Sequence, residues 1–265
     1  MTGHYADSRT MNNQQGLGVR ISGEKERQWG FTAGLQTTHI DMAPITQTSV
    51  QHQDNWLASA YAHQPTTRWL GRWTLQVDTH KVKNDASHTN SSSVRAIAPQ
   101  ITWLSHTQPL KIDLSLASSN YANTAPIYQL SSAVAYGFNN GTDWLQIRGY
   151  AINNLTPSEA LGLSNTRAVE TKITHVLGRT SAWIPTSITV GLDRGKRIYW
   201  IDMASQTIYN QPMINEGGEN IAASWELNPK TNINLQLNQT RYYAETLGAH
   251  RFKLSTLSTQ LAFAW

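Results

Sequence analysis

Apolar and polar residues alternate with a period of two along most of this chain, from about residue 16 to the end. In the clearest run, residues 110–117, the even positions are leucine or isoleucine and the odd positions are Lys111, Asp113, Ser115 and Ala117. Successive side chains of a β-strand point to opposite faces, so each such run predicts a strand with one apolar and one polar face. Turn residues such as Asn139-Asn140-Gly141 separate the runs. No helical pattern of similar length interrupts them, and the chain is predicted to be all-β.

The last nine residues, 257–265, form a strand pattern that ends on an aromatic residue. Leu257, Leu261, Phe263 and Trp265 fall on one face. An apolar final strand suits a barrel in lipid, because there the last strand pairs with the first and faces hydrocarbon. This ending resembles the C-terminal signal read by the outer-membrane assembly machinery in Gram-negative barrels, with Trp in place of the commoner Phe. The resemblance implies the bacterial outer membrane as location, and outer-membrane lipid, lipopolysaccharide and that machinery as partners.

Long and short connections between the predicted strands alternate. The long ones are Asp41–Asp54, Lys83–Ser92, Ser119–Pro126, Asn153–Thr166 and Arg194–Gly217; the short ones lie at Arg27, Gln64–Thr67, Thr107–Pro109, Asn139–Thr142, Arg179–Ala182 and Asn228–Thr231. Outer-membrane barrels have short periplasmic turns and long outer loops, whereas a sandwich or propeller predicts no such alternation.

Roughly 13 runs show clear alternation, and segments near residues 4–10 and 198–210 add one or two. Bacterial single-chain barrels have an even number of strands. We therefore predict a transmembrane antiparallel up-and-down β-barrel of 14 strands, with 12 as the alternative, as a single domain over residues 1–265. A soluble β-sandwich is the competing fold.

Composition agrees with this class and excludes others. Ten Trp and ten Tyr stand against four Phe, a balance typical of aromatic belts at membrane interfaces. No stretch approaches the ~18 apolar residues of a transmembrane helix. The chain has no cysteine, and its net charge of +4, without a basic run, does not indicate nucleic acid. Residues 1–15 are polar and lack a signal peptide, so we expect either a cleaved leader or a longer parent protein.

The faces opposite the apolar ones are polar and would line a lumen. The candidate pore-lining residues are Arg20, Arg72, Gln76, Lys111, Asp113, Arg148, Glu170, Lys172 and Lys253. Basic side chains around water favour anions. Alternatively, charged and polar side chains pair across strands and brace a closed interior: Lys111 with Asp113, Glu170 with Lys172, and Arg72 with Gln76 and Asp78. Both an open or gated pore and a plugged barrel remain possible, because barrels of 12 or 14 strands lie between filled and open ones.

Catalytic and metal-binding motifs are weak. His39, Asp41, His52 and Asp54 bracket one outer loop in a manner that a barrel hydrolase could use, and His80 with His88 could share a metal. Loop histidines and aspartates are common, so we expect no enzyme activity, catalytic residue, metal or cofactor. Tyr199 and Trp200 are interpreted as interfacial aromatic residues at a strand end.

The leading functional expectation is an outer-membrane channel that passes small hydrophilic solutes with a preference for anions, and so takes part in ion transport as a porin does. Two alternatives are the C-terminal export barrel of a longer protein, which passes a polysaccharide or another secreted chain, and a closed structural barrel with a periplasmic or complex partner.

Overall fold

Fourteen antiparallel strands close into one barrel in this computed structural model. The structure describes residues 2–7, 11–25, 28–42, 51–65, 72–86, 92–121, 126–154, 164–178, 183–209, 214–228, 231–244 and 250–263. The barrel strands are β1 (Thr2–Asp7), β2 (Met11–Lys25), β3 (Trp29–Met42), β4 (Gln51–Pro65), β5 (Arg72–Ala86), β6 (Ser92–Leu104), β7 (Leu110–Tyr121), β8 (Ile127–Phe138), β9 (Asp143–Asn154), β10 (Asn165–Val176), β11 (Ser187–Arg197), β14 (Ile214–Asn228), β15 (Thr231–Ala244) and β16 (His250–Phe263). A 3-10 turn at Asn139–Gly141 joins β8 to β9, and two short strands, β12 (Ile201–Asp202) and β13 (Thr207–Ile208), pair only with each other.

Each barrel strand pairs with its sequence neighbours, apart from the step from β11 to β14, and β1 closes the ring against β16. The closing register sets Thr2 opposite Ser258 and Asp7 opposite Lys253. The prediction of a 14-stranded up-and-down barrel is therefore confirmed. Among the described residues, no helix is both long enough and apolar enough to cross a membrane.

Large apolar side chains point outward and remain exposed around the ring. Leu17, Leu75, Ile101 and Leu116 are 59 %, 51 %, 47 % and 58 % exposed. A soluble protein does not expose such a continuous apolar surface, whereas a lipid-facing barrel requires one. The inner faces of the same strands carry the polar residues, as the period-two pattern predicts.

The apolar surface forms a belt of membrane dimensions. On β8 the outward face runs from Tyr128 to Phe138. At about 3.3 Å per residue and about 40° of tilt, that stretch spans about 25 Å, the height of the apolar band in outer-membrane barrels. Trp29, Trp73, Trp103 and Trp225 lie on the outward face near one edge of the belt, as interfacial aromatic residues do.

The two ends of the barrel differ in their connections. One end, the short-turn end, carries the connections at 26–28, 66–71, 105–109, 139–142, 177–186 and 229–230. The other, the long-loop end, carries those at 8–10, 43–50, 87–91, 122–126, 155–164, 198–213 and 245–249. The predicted long and short connections fall at opposite ends as expected, and the longest connection, 198–213, joins β11 to β14.

A β-bulge marks the place where that longest connection leaves the barrel wall. The register between β11 and β14 shifts between Arg194 and Arg197, and glycines with positive φ stand on both strands, Gly195 at +111° and Gly217 at +99°. Bulges bend a strand and redirect the chain. Here the bulge lies where β11 gives way to residues 198–209, which turn inward.

Candidate pore and the segment inside it

Residues 198–209, the lumen segment, fold into the barrel as a small hairpin. Ile201 pairs with Ile208 and Asp202 with Thr207. Ile201 and Met203 are 1 % and 3 % exposed. They share one buried apolar cluster with inward-facing residues of β5, β6 and β7, namely Val82, Val94, Ala96, Ala98 and Ala117. Burial of this apolar surface holds the segment against one side of the lumen.

Gln129 on β8 fixes the first strand of the hairpin. Its side-chain amide donates to the Ile201 carbonyl oxygen at 2.7 Å and accepts from the Ile201 backbone N–H at 2.9 Å. One side chain therefore pairs with both the backbone N–H and the carbonyl oxygen of a buried residue, as a neighbouring strand would.

Asp202 connects the hairpin to the barrel wall at mid-height. Its Oδ1 lies 3.3 Å from Nη1 of Arg148, the sixth of twelve residues of β9. The same carboxylate accepts from the Ala204 N–H at 2.9 Å and from the Ser205 hydroxyl at 3.0 Å. The carboxylate thus closes the turn of the hairpin and binds it to β9.

The tip of the hairpin also reaches the opposite wall. Arg20 on β2 donates from Nη2 to the Ser205 carbonyl oxygen at 3.1 Å. Strands β2 and β9 stand seven places apart in the ring of fourteen, so Arg20 and Arg148 hold the segment from opposite sides. The lumen segment therefore spans the barrel and divides its interior.

A group of charged side chains surrounds the segment on the β7–β11 side. Cross-strand register sets Arg148, Glu170 and Asp193 in one row. Arg148 lies 3.8 Å from Asp113, and its side chain is 5 % exposed. Lys111 lies 3.3 Å from Asp113 and Lys172 lies 3.0 Å from Glu170. Each of these cations has an acidic partner, which the buried charge of Arg148 requires.

Arg197 combines an ion pair with aromatic contacts at the root of the segment. It pairs with Asp193, and its guanidinium lies 3.9 Å from the centre of the Trp200 ring and 4.9 Å from that of Tyr150. Trp200 stacks on Tyr209 with 3.9 Å between ring centres and 4° between planes. Burial raises the pKa of Tyr209, so its phenol stays neutral. These contacts make the segment an ordered part of the barrel interior.

The inner face of β15 and β16 is uncharged. Toward the long-loop end it carries Tyr242, Phe252 and Leu254, and toward the short-turn end it is polar. Its polar residues are Asn232, Asn234, Gln236, Asn238 and Thr240 on β15, and Thr256, Ser258 and Gln260 on β16. Asn232 and Gln260 are exposed, and the Gln236 amide donates to Asn238 at 2.8 Å. Amides and hydroxyls of this kind both donate and accept hydrogen bonds to a passing polar solute.

Eight of the nine candidate pore-lining residues lie on the inner face: Arg20, Arg72, Gln76, Lys111, Asp113, Arg148, Glu170 and Lys172. Whether they line a conducting path stays a prediction. Lys253 is the exception. It shares its strand face with the exposed Leu257 and Leu261, and no bulge interrupts β16 between them. Its assignment to the lumen is wrong, because period-two alternation places it outside.

The predicted pairing of charges across strands is wrong in geometry. Lys111 meets Asp113 and Lys172 meets Glu170 along a single strand, two residues apart. Gln76 donates to Asp78 in the same way at 2.9 Å. Residues two apart share a face of a strand, and long side chains close that gap. Among the described inner-face charges, Arg148 and Asp113 form a cross-strand contact. It skips β8, where Ala133 lies between them in the row.

Sequence reasoning missed the lumen segment itself. Tyr199 and Trp200 were expected at the membrane interface, but Trp200 is 5 % exposed inside the barrel. The available signal was that Ile198, Trp200, Ile201 and Ile208 are apolar within the longest outer connection, where solvated loops are polar.

The candidate hydrolase residues are only partly brought together. His39 Nδ1 lies 3.3 Å from His52 Nε2 on neighbouring strands. The side chain of Asp41 and residue His88 lie outside the described residues. His80 is 3 % exposed on the inner face of β5, and among the described residues no group of three potential metal ligands occurs.

No protein-family model matches this chain, and a search of curated proteins gives no significant match. Among solved structures, it is similar to one described as a bacterial polysaccharide outer membrane secretin, with a TM-score of 0.54 and 12 % identity over 100 % of this chain and 96 % of that one. OmpF of Salmonella typhi, in complex with daunomycin, gives a TM-score of 0.46 and 6 % identity over 98 % and 94 % of the two chains. OccK7 of Pseudomonas aeruginosa gives a TM-score of 0.45 and 9 % identity over 100 % of this chain and 96 % of that one.

At 12 % identity, the likeness to the first of these structures shows the fold alone. The closed ring of 14 strands and its exposed apolar belt make this chain a bacterial outer-membrane β-barrel. In such barrels the short-turn end faces the periplasm and the long-loop end faces outward.

Proposed function

We propose that this barrel is an outer-membrane channel for small hydrophilic solutes, narrowed by the lumen segment. The observation that carries the proposal is the division of the interior. The segment bridges β2 and β9 and packs on β5–β7, while β15 and β16 present an uncharged wall that is polar toward the short-turn end. A solute would pass along that wall.

The charge pairing favours neutral solutes over anions. Lys111, Arg148 and Lys172 each have a carboxylate within 4.0 Å, so little positive charge is left to attract anions. Arg20 contacts a backbone carbonyl oxygen rather than a carboxylate, so its charge would add a weak anion preference.

Liposome swelling tests this proposal. The refolded barrel is placed in liposomes, and uptake of glucose is compared with that of gluconate and glucosamine, which differ in charge at similar size. We expect glucose to enter at least as fast as either ion, and uptake to fall steeply from mono- to trisaccharides. Equal exclusion of all three monomers would overturn the proposal.

Export of a polysaccharide is the second candidate. The Asn- and Gln-rich wall suits a neutral sugar chain, and the fold likeness includes a polysaccharide secretin. In that case long neutral oligosaccharides would block the ionic current through the barrel, whereas short ones would not. A channel for small solutes would take up short sugars faster than long ones, and long chains would not block its ionic current.

A further inference from the structure

A cationic row lies on the outward surface, away from the lumen. The register β4–β5–β6–β7 aligns Trp56, Lys81, Arg95 and Asn120 as direct cross-strand neighbours. Their strand faces are the outward ones, because they share them with exposed residues such as Leu75 and Ile97. We call these four residues the outer row.

The outer row places two like charges directly opposite one another. Lys81 on β5 is the register partner of Arg95 on β6. Directly opposed residues have Cβ atoms about 5 Å apart, and like charges there destabilise a sheet. In the part of the chain that the structure describes, neither side chain forms an ion pair with an acidic residue. The repulsion is removed when an anion binds between the two cations.

The surface around these cations is a shallow, open depression. Its volume is about 340 Å³, and it is lined by Trp56, Ala58, Thr79, Lys81 and Arg95, together with parts of Leu57, His80 and Ala96. Lys81 Nζ lies 5.8 Å from the centre of the Trp56 ring. One patch therefore combines three kinds of contact. The lysine provides charge, the indole of Trp56 provides an apolar face, and the amide of Asn120, next to Arg95 in the row, provides hydrogen bonds.

The backbone of the row lies about 5 Å inside the outer edge of the apolar belt. Lys81 lies eight positions along β5 from Trp73, the belt residue at the short-turn end. At about 3.3 Å per residue and about 40° of tilt, eight positions span about 20 Å. Long basic side chains extend a few ångströms further toward the polar layer. The row therefore reaches the head groups of the outer leaflet.

We propose that the outer row binds the phosphate groups of lipopolysaccharide. The outer leaflet of a Gram-negative outer membrane carries these phosphates on the lipid A sugar pair, beside its acyl chains. Lys81 and Arg95 would hold a phosphate between them, Arg95 with its planar fork of donors. Trp56 would pack on the sugar or acyl region, and Ile97 directly below would contact acyl chains.

Lipid A binding in detergent tests this, with native mass spectrometry as the readout. The wild-type barrel is titrated with diphosphorylated lipid A and with the same lipid A freed of phosphate. We expect at least tenfold weaker binding of the phosphate-free lipid. Equal binding of the two lipids would overturn the proposal, and this comparison requires no variant.

The double variant Lys81→Gln plus Arg95→Gln locates the site. We expect it to bind diphosphorylated lipid A about as weakly as wild type binds the phosphate-free lipid. Lys25→Gln is the matched control, since Lys25 is an exposed, outward lysine at the short-turn end, and it should bind as wild type does. Wild-type affinity in the double variant would overturn the assignment.

The thermal unfolding temperature gives an independent test of the phosphate site. Without lipid A, the double variant should unfold at a temperature equal to or above that of wild type, because the like-charge repulsion is gone. With lipid A, wild type should gain the larger increase. Equal increases in both proteins would contradict a phosphate site at this row.

Discussion

Arg148 is the side chain on which the contacts of the barrel interior converge. It lies at mid-height on β9, is 4 % exposed, and reaches both Asp113 on the wall and Asp202 on the lumen segment. Sequence patterning places Arg148 on the inner face, because alternation along β9 is unbroken. It does not reveal Asp202 as a partner, since 54 residues separate the two and only the three-dimensional path of the segment brings them together.

Replacing Arg148 with alanine should loosen the lumen segment. The change leaves Asp202 and Asp113 without their shared partner. Removing one partner of a buried ion pair lowers the free energy of unfolding by about 3 kcal/mol. We expect faster trypsin cleavage after Arg197 and a noisier, larger single-channel current. Lys172→Ala is the control, because its side chain is 25 % exposed and its ion pair is with Glu170 on its own strand. Identical behaviour of the two variants would mean that Arg148 does not hold the segment.

Charge reversal at Lys111 and Lys172 tests whether the inner face lies on the ion path. The double change Lys111→Glu plus Lys172→Glu should shift the reversal potential in a salt gradient toward cation selectivity. Lys253→Glu should leave it unchanged, because Lys253 is on the outward face. Unchanged selectivity in the double variant would remove Lys111 and Lys172 from the ion path.

The lumen segment is the element that the sequence pattern could not place. Alternation predicts where strands lie, and it offers residues 198–210 as an added barrel strand. The structure corrects this, because the two short strands there pair with each other and lie outside the ring. Alternation does not say what an apolar face will contact. Burial of apolar surface is favourable both in the lipid outside and against the apolar inner faces of β5–β7. Ile201 and Ile208 therefore form a hairpin against Val82 and Ala98 instead of another wall strand.

Gly195 should be essential to the bulge that turns the segment inward. Its φ is +111°, and a Cβ there would strike the backbone of Arg167 and Ala168. Gly195→Ala should cost about 1–3 kcal/mol in backbone strain and lower the unfolding midpoint measured by heat modifiability on gels. Gly149→Ala is the control, because a Cβ at Gly149 meets nothing closer than 3.9 Å. Equal midpoints for both variants would show that the bulge tolerates a side chain.

At the scale of the whole molecule, the barrel has a different chemistry on each surface. The outer surface is an apolar belt with tryptophans near the short-turn end and the cationic outer row near the long-loop end. The inner surface is charged where the lumen segment docks and uncharged on β15 and β16. The number of strands and the inward face of most polar residues follow from period-two alternation and ring closure. The division of the lumen does not, since it depends on contacts between opposite walls.

Single-channel conductance tests the narrowing of the lumen most directly. The variant to measure is a barrel in which a short Gly/Ser linker replaces residues 198–209. The wild type and the replacement are refolded in detergent, checked for heat modifiability and compared in a planar bilayer at the same salt concentration. A folded replacement should conduct severalfold more than the wild type, because the bridge between β2 and β9 is gone. Equal conductance in a folded replacement would contradict a lumen narrowed by this segment.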